Sequence, residues 1–375
     1  MKIRAAVLNR MGATPPYAVS RPLTIEEVDL APPGPGEVLI QVVAAGLCHS
    51  DLSVINGDRP RPMPMALGHE AAGVVRELGA GVSDLAVGDH VVVVFVPSCG
   101  LCAPCAEGRP ALCEPGAAAN GAGTLLSGAR RISHVGAPLN HHLGCSVFAE
   151  YATVSRHSLV KIDPEVPLDE AALFGCAVLT GVGAVVNTAK VPVGASVAIV
   201  GLGGVGLAAL LGAYAAGARQ IVAVDLADDK LAQARELGAT HTVNAGLPDA
   251  MEQIRALSGG GVEFAFEFAG SIRALDLTYR ITRRGGTTVT AGLPPSTATL
   301  PLAAVSLVAE ERTLKGSYIG TCVPSRDVPR YISLYRQGRL PVDRLLTGRL
   351  RLDEINHGFD LLHEGRAIRQ VVVFE

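Results

Sequence analysis

At roughly 100–200 residues per hydrophobic core, a chain of 375 residues is long for one domain and suited to two. Its 32 lysines and arginines against 35 acids leave a net charge of −3 with both signs interspersed, which excludes nucleic acid and an anionic membrane surface as main partners and makes small-molecule chemistry the default. Charges in the opening MKIRAAVLNR fall where a secretion signal needs an apolar core, so the cytoplasm is the expected compartment, where a dense cysteine cluster reads as metal-binding or catalytic before it reads as disulfides.

Up to about residue 183, valine-rich runs (EVLIQVVAAG, AAGVVRELGAG, GDHVVVVFVP, FAEYATV) separated by Pro/Gly turns predict a mainly-β domain. Within it Cys48 lies in AGLCHSDL, His69 in LGHEAAG and Cys176 in LFGCAVLTGVG. Two thiolates and one imidazole leave a tetrahedral zinc with one position open, the pattern of a catalytic rather than a structural site. Spacing alone does not assemble these three, and each by itself reads as an ordinary core residue. Between them Cys99, Cys102, Cys105 and Cys113 form C-x2-C-x2-C-x7-C. Four thiolates close a coordination shell, so a zinc there holds a loop and cannot accept a substrate; an iron–sulfur cluster is the rival reading.

From about Ala195 strands alternate with helices, which predicts parallel βαβ units. The stretch VAIVGLGGVGLAALLGAYAAGA, Val197 to Ala218, has the length of a membrane span, but its six glycines make it a strand, a glycine turn and a buried helix. Gly201, Gly203 and Gly206, with Gly204 and Val205 between them, spell G-x-G-x-x-G. The next strand, QIVAVD, ends in Asp225, nineteen residues beyond Gly206, where an acid bonds the ribose diol of a dinucleotide and repels a 2′-phosphate, favouring NAD over NADP. Lys230 either bonds a ribose hydroxyl or is simply solvated. After about Ser317 helices and strands mix again, and the apolar terminal run IRQVVVFE needs a sheet to join.

Taken in order, GLCHSD, GHE, the cysteine cluster, GCAVLTG, GLGGVG with Asp225, and IRQVVVF resemble the zinc-dependent alcohol dehydrogenases of the medium-chain dehydrogenase/reductase superfamily over essentially the whole chain. The liver-type and glutathione-dependent formaldehyde dehydrogenase branches are the most similar in length. The resemblance implies an α/β molecule. A GroES-like mainly-β catalytic domain (1–183 and 317–375, with a structural zinc lobe at about 95–115) would accompany a Rossmann doubly wound parallel-sheet coenzyme domain (184–316). It also implies a homodimer formed through edge strands near ATLPLAAVSLV, with NAD and two zinc ions per chain. Cys48, His69 and Cys176 would hold the catalytic zinc, and the four clustered cysteines the structural one. The implied reaction is reversible hydride transfer between a medium-chain or aromatic primary alcohol and NAD, giving the aldehyde. By the same likeness Ser50 receives the alcohol proton, Asp51 orients His69, and Glu70 stands behind the metal. His49, Thr180 and Arg369 contact the coenzyme, and Phe95, His142, Leu143, Leu293 and Tyr318 line the substrate pocket. Cys145 and Cys322 are left as inert core thiols.

Several positions depart from the family pattern. His49 replaces a frequent arginine, Ser53 a histidine that relays protons, and His142 a pocket phenylalanine; His142 is either a polar group in the pocket or a core histidine with its hydrogen bonds satisfied. The glutathione-dependent branch carries an arginine four residues after the last lobe cysteine and acids upstream of GHE. Here those positions hold Ala117, and Arg59 and Arg61, which are either solvated turn residues or attract a distal carboxylate. A zinc-free quinone reductase of the same superfamily is disfavoured by the ligand set and Asp225, and a non-catalytic zinc- and nucleotide-binding protein by Ser50 beside intact ligands.

Overall fold

The computed structural model describes residues Met1–Phe374 and divides the chain into two units. Unit one comprises Met1–Cys176, Val323–Ile332 and the chain from Val342 on; unit two comprises Ala177–Cys322 and Ser333–Pro341.

Unit one is built around the strand Glu37–Gly46, whose EVLIQVVAAG is buried almost throughout because it has neighbours on both sides. Ala71–Leu78, Tyr151–Ser155 and Arg369–Val373 all pair with it antiparallel, the last with Val371 opposite Gly46. The apolar run at the chain's end thus fills a sheet position, and Leu346–Leu350 joins it in parallel on the far side. A second sheet carries Lys2–Leu8 against Leu23–Leu30 and Met65–Ala66. The alternate residues Ile3, Ala5 and Val7 enter a core shared with Val28, Leu30 and Leu139.

Unit two holds a six-stranded parallel sheet. Numbered along the chain, its strands are Ser196–Val200, Gln220–Asp225, His241–Asn244, Val262–Glu267, Thr282–Thr290 and Thr313–Gly316, and they lie in the order 3-2-1-4-5-6. That is the doubly wound order of dinucleotide-binding sheets, with its switch point between strands one and four. The uncharged stretch from Val197 resolves into the first of these strands and the helix Gly204–Ala215. Among the described residues no single helix is long and apolar enough to cross a membrane. Near the segment ATLPLAAVSLV, where edge strands are expected, the segment itself leads into the short helix Ala304–Ala309 and the edge strand is Thr313–Gly316 just after it. Ala and Leu favour helix there, and the edge position falls to TLKG, whose residues are all exposed.

Candidate active site

Three neighbouring strand ends collect residues that the sequence scatters. Cys48 stands two residues past Glu37–Gly46, His69 and Glu70 immediately precede Ala71–Leu78, and Arg369 opens Arg369–Val373. The backbone joins these ends, with Gly46 N donating to Glu70 O at 2.7 Å and Leu47 N to Gln370 O at 2.9 Å. Cys176 arrives separately, after the 3-10 turn Ala172–Gly175. Ligand atoms of Cys48, His69, Glu70 and Cys176 all lie within 4.8 Å of one another, and all four residues are buried. The glycine of GHE is required: Gly68 has φ +95°, and a Cβ there would run into Phe148 N.

Asp51 sits on the helix His49–Ile55, which Cys48 precedes as N-cap. Its Oδ1 lies 3.1 Å from His69 Nδ1 and accepts from Gly68 N at 3.3 Å. A carboxylate on Nδ1 leaves the Nε2 lone pair of His69 uncommitted, and that nitrogen is buried without a hydrogen-bond partner. An orphaned imidazole nitrogen facing two thiols fits a metal that takes nitrogen and sulfur ligands, zinc above all. Hydrogen bonding with Cys176, helped by the His69 imidazole and opposed by burial, holds the Cys48 thiol well below its ordinary range. Burial alone would raise the Asp51 carboxyl, but the imidazoles of His69 and His142 offset it and hold it below the ordinary value. Burial pushes the Glu70 carboxyl up to about 7 even though the Arg369 guanidinium pulls the other way. Arg369 Nη2 donates to Glu70 Oε2 in a fully buried ion pair, while Glu70 Oε1 has no partner.

The clustered cysteines form a second, chemically different set. The sulfurs of Cys99, Cys102, Cys105 and Cys113 lie within 4.8 Å of one another, with no nitrogen or oxygen ligand among them. Backbone amides point at the sulfurs: Leu101 N and Cys102 N donate to Cys99 Sγ at 3.4 and 3.3 Å, and Cys99 N and Gly116 N to Cys113 Sγ at 3.2 and 3.4 Å. These amides hold the Cys99 thiol down at about 6. A closed set of sulfurs already served by N–H donors fits a structural zinc. All eight cysteines are free of disulfides.

In unit two the turn Gly201–Gly203 joins the first strand to the helix Gly204–Ala215, beside the switch point. Gly206 is demanded by packing, since a Cβ there would run into Gly201 O. Gly203 is not: its φ is −73°, and a Cβ would meet nothing in the chain. The space above Gly203 is open, and a pyrophosphate lying against the helix N-terminus would fit there. Asp225 Oδ2 accepts from Leu202 N at 2.7 Å and Oδ1 from Leu226 N at 2.8 Å, so the carboxylate is locked beside the glycine turn. Lys230 lies on the helix Asp228–Glu236, Thr180 on Ala177–Gly183, and Leu293 and Tyr318 also belong to unit two, 54% and 43% exposed.

Residues 34–164 match the alcohol dehydrogenase GroES-like domain, and residues 204–337 the domain described as zinc-binding dehydrogenase. Along the full length of both proteins the chain is 37% identical to an S-(hydroxymethyl)glutathione dehydrogenase from Paracoccus denitrificans. The chain belongs to the zinc-dependent alcohol dehydrogenases of the medium-chain dehydrogenase/reductase superfamily. Within that family, an alcohol dehydrogenase zinc-binding domain protein from Burkholderia ambifaria superposes with a TM-score of 0.94 at 36% identity, covering 100% of this chain and 99% of the other. The benzyl alcohol dehydrogenase from Acinetobacter calcoaceticus superposes with a TM-score of 0.93 at 33% identity over the whole of both chains. As an alcohol dehydrogenase the protein is an oxidoreductase, and its mainly-β unit and doubly wound unit are those of the family.

Three features of this alcohol dehydrogenase escape the sequence. His142 does not have the satisfied hydrogen bonds of a core histidine: its ring is buried, and its Nδ1, although 3.0 Å from the Asp51 oxygen that also faces His69, has no hydrogen-bond partner. Asn120, on the helix Glu114–Ala122, donates to Phe95 O at 2.8 Å and accepts from Arg61 Nη1 at 3.2 Å through its own carbonyl. It thereby positions Phe95, whose ring meets His69 edge-on with centroids 5.3 Å apart. Ser53 Oγ donates to His49 O at 2.8 Å. Nothing local in the sequence distinguishes these contacts from ordinary helix residues.

Proposed function

We propose that this chain reversibly oxidises medium-chain or aromatic primary alcohols to aldehydes with NAD, at a zinc held by Cys48, His69 and Cys176. The observation that carries this reading is the buried His69 Nε2, left without a partner between two thiols while Asp51 holds Nδ1. A zinc held by these residues would supply Lewis-acid polarisation of the alcohol oxygen, and NAD bound in unit two would be the hydride acceptor. The residues of the chain bind, orient and move the proton. Asp51 fixes the tautomer of His69, and Ser50, on the same helix as Asp51, takes the alcohol proton. Ser53 has committed its hydroxyl to His49 O, so the onward path from Ser50 runs through water. Phe95 and Leu143, both buried, give the substrate an apolar wall. The four lobe cysteines hold a second zinc that only shapes the loop. An NAD-reduction assay across an alcohol panel, with metal analysis expected to return about two zinc per chain, tests the reading; no reduction with any alcohol at that zinc content overturns it.

Asp225 carries the coenzyme preference. NAD is expected to exceed NADP in kcat/KM by at least about tenfold, roughly 1.4 kcal/mol. Asp225→Asn removes the charge and keeps one side-chain oxygen to accept from Leu202 N, while giving up the second oxygen that accepts from Leu226 N, and so should narrow the gap between the coenzymes. Comparable kcat/KM values for the two coenzymes in the unaltered enzyme would refute the assignment.

The glutathione adduct that names the Paracoccus relative is a poor match for this chain. Ala117 is exposed on the helix Glu114–Ala122 and offers no cation for a glutathione carboxylate, while Arg59 and Arg61 oppose its ammonium. Each charge-assisted contact is worth about 1.5–3 kcal/mol. Turnover of S-hydroxymethylglutathione is therefore expected at least about tenfold below benzyl alcohol or hexanol in kcat/KM, and the opposite ranking would assign the chain to that activity instead. We also read the protein as a cytoplasmic homodimer. The exposed edge strand Thr313–Gly316, with Val305 and Val308 standing 72% and 81% exposed on the helix before it, is a surface that a second copy would cover.

A further inference from the structure

Glu267 is 1% exposed, and no step of the reaction described above uses it. It is the last residue of the fourth strand of the parallel sheet, in register with Val200 at the end of the first strand and with Thr290 at the end of the fifth, which pairs in turn with Gly316 at the end of the sixth. These ends are level at the carboxyl edge of the sheet, where doubly wound folds bind their ligands. Burying a carboxyl group is costly unless its oxygens are bonded. Both are: Oε1 accepts from Gly270 N at 2.6 Å, and Oε2 from Thr290 Oγ1 at 2.7 Å. The backbone carbonyl of the same residue accepts from Ala291 N at 3.0 Å and from Gly292 N at 3.2 Å. Glu267 thus ties the loop after strand four to the loop after strand five with side chain and backbone at once. Gly292 makes room for it, since a Cβ there would lie 2.5 Å from Glu267 Oε2 and 2.4 Å from Gly270 N. The loop after strand six joins through Ser317 N, which donates to Thr290 O at 2.8 Å. An apolar side chain would fill this space with no polar atom to satisfy, so packing alone does not call for a carboxyl group, whereas fixing two loops does.

Asp225 and the turn Gly201–Gly203 stand on the other side of the switch point, at the ends of strands two and one. A dinucleotide spans the crevice. With its adenosine ribose at Asp225, its nicotinamide half would lie over the ends of strands four to six, on the loops that Glu267 ties together. We propose that Glu267 is a positioning residue for the nicotinamide half of the coenzyme: through Gly270 and Thr290 it fixes the loops after strands four and five in the shape which that half requires. The inference rests on the coenzyme reading above and names a residue that acts through those loops rather than by contact.

The test compares the dissociation constants of NADH and of ADP-ribose, which lacks only the nicotinamide, by titration calorimetry of the zinc-loaded enzyme. In the unaltered protein NADH is expected to bind about tenfold or more tightly than ADP-ribose. Glu267→Ala leaves Gly270 N without its acceptor and releases the strand-five loop, and should cut that advantage by about threefold or more. Glu267→Gln accepts from Gly270 N through its amide oxygen and donates to the Thr290 hydroxyl, and should keep the advantage within about twofold. Thr290→Val removes only the hydroxyl link and should cut the advantage by about twofold or more. A carboxyl group with a merely structural role would weaken both ligands alike and leave their ratio unmoved. Equal affinities in the unaltered enzyme, a smaller cut than this in Glu267→Ala, or a loss in Glu267→Gln equal to that in Glu267→Ala overturns the inference and leaves the coenzyme reading standing. Should Glu267→Ala fail to fold, an undiminished advantage in Thr290→Val overturns it on the same ground. Failure of the unaltered enzyme to bind either ligand overturns both.

Discussion

Cys48→Ser is expected to lower kcat by at least about a thousandfold yet leave a folded protein, whereas Cys102→Ser is expected to lower the thermal midpoint by about 5 °C or more. The difference follows from the two ligand sets. Cys48 belongs to a mixed set of sulfur and imidazole at the end of a sheet whose strands are joined by backbone hydrogen bonds, and those bonds survive loss of a sulfur. Cys102 belongs to four sulfurs on a segment with little regular structure, where Cys99, Cys102, Cys105 and Cys113 are tied to one another chiefly by N–H donors to sulfur. There metal binding free energy is folding free energy. Circular dichroism melts, bound zinc and steady-state turnover on the same preparations measure the contrast. Equal unfolding of both variants would erase the division between a catalytic and a structural site.

Arg369→Ala is the second large effect, with an expected loss of about 3–5 kcal/mol of stability, because the buried Glu70 carboxyl, already raised to about 7, loses its counter-ion and must either stay charged unpaired or take up a proton. Both partners are almost fully enclosed, with side-chain exposures of 4% and 0%, and Glu70 Oε1 already lacks a partner. Removing both charges together, as in Glu70→Gln with Arg369→Met, should cost less than half as much, since no isolated charge remains. Denaturant midpoints of the two single variants and the double variant measure this coupling. Simple additivity would mean that the pair contributes nothing as a pair.

The features legible in the sequence are those written in contiguous spacing. The C-x2-C-x2-C-x7-C run predicts a closed thiolate set, and the four sulfurs do lie together. The glycine turn and Asp225 predict a dinucleotide-binding unit, and the sheet has the corresponding 3-2-1-4-5-6 order. The glycine turn at Gly201 and Gly203 separates strand from helix in the uncharged stretch after Val197, and the structure breaks there. Each of these signals acts over one turn or one strand, so local propensity and chain geometry suffice.

Cys48, His69 and Cys176 could be grouped beforehand only by likeness to a family, and the structure supplies the physical reason they meet: hydrogen-bonded strand ends and one 3-10 turn converge on one point. The edge strand illustrates the limit of propensity, since the AVSLVA run from Ala304 winds into helix and the sheet edge is taken by the TLKG that follows. Two pairings decide the electrostatics of the site, Glu70 with Arg369 across 299 residues and His142 with the Asp51 oxygen shared by His69. No pattern along the chain marks either one. By itself the sequence determined which chemical groups the protein owns and which of them are neighbours along the chain; the tertiary structure alone decided which charges share a buried site, because burial and strand register bring together side chains whose separation in sequence carries no information about their separation in space.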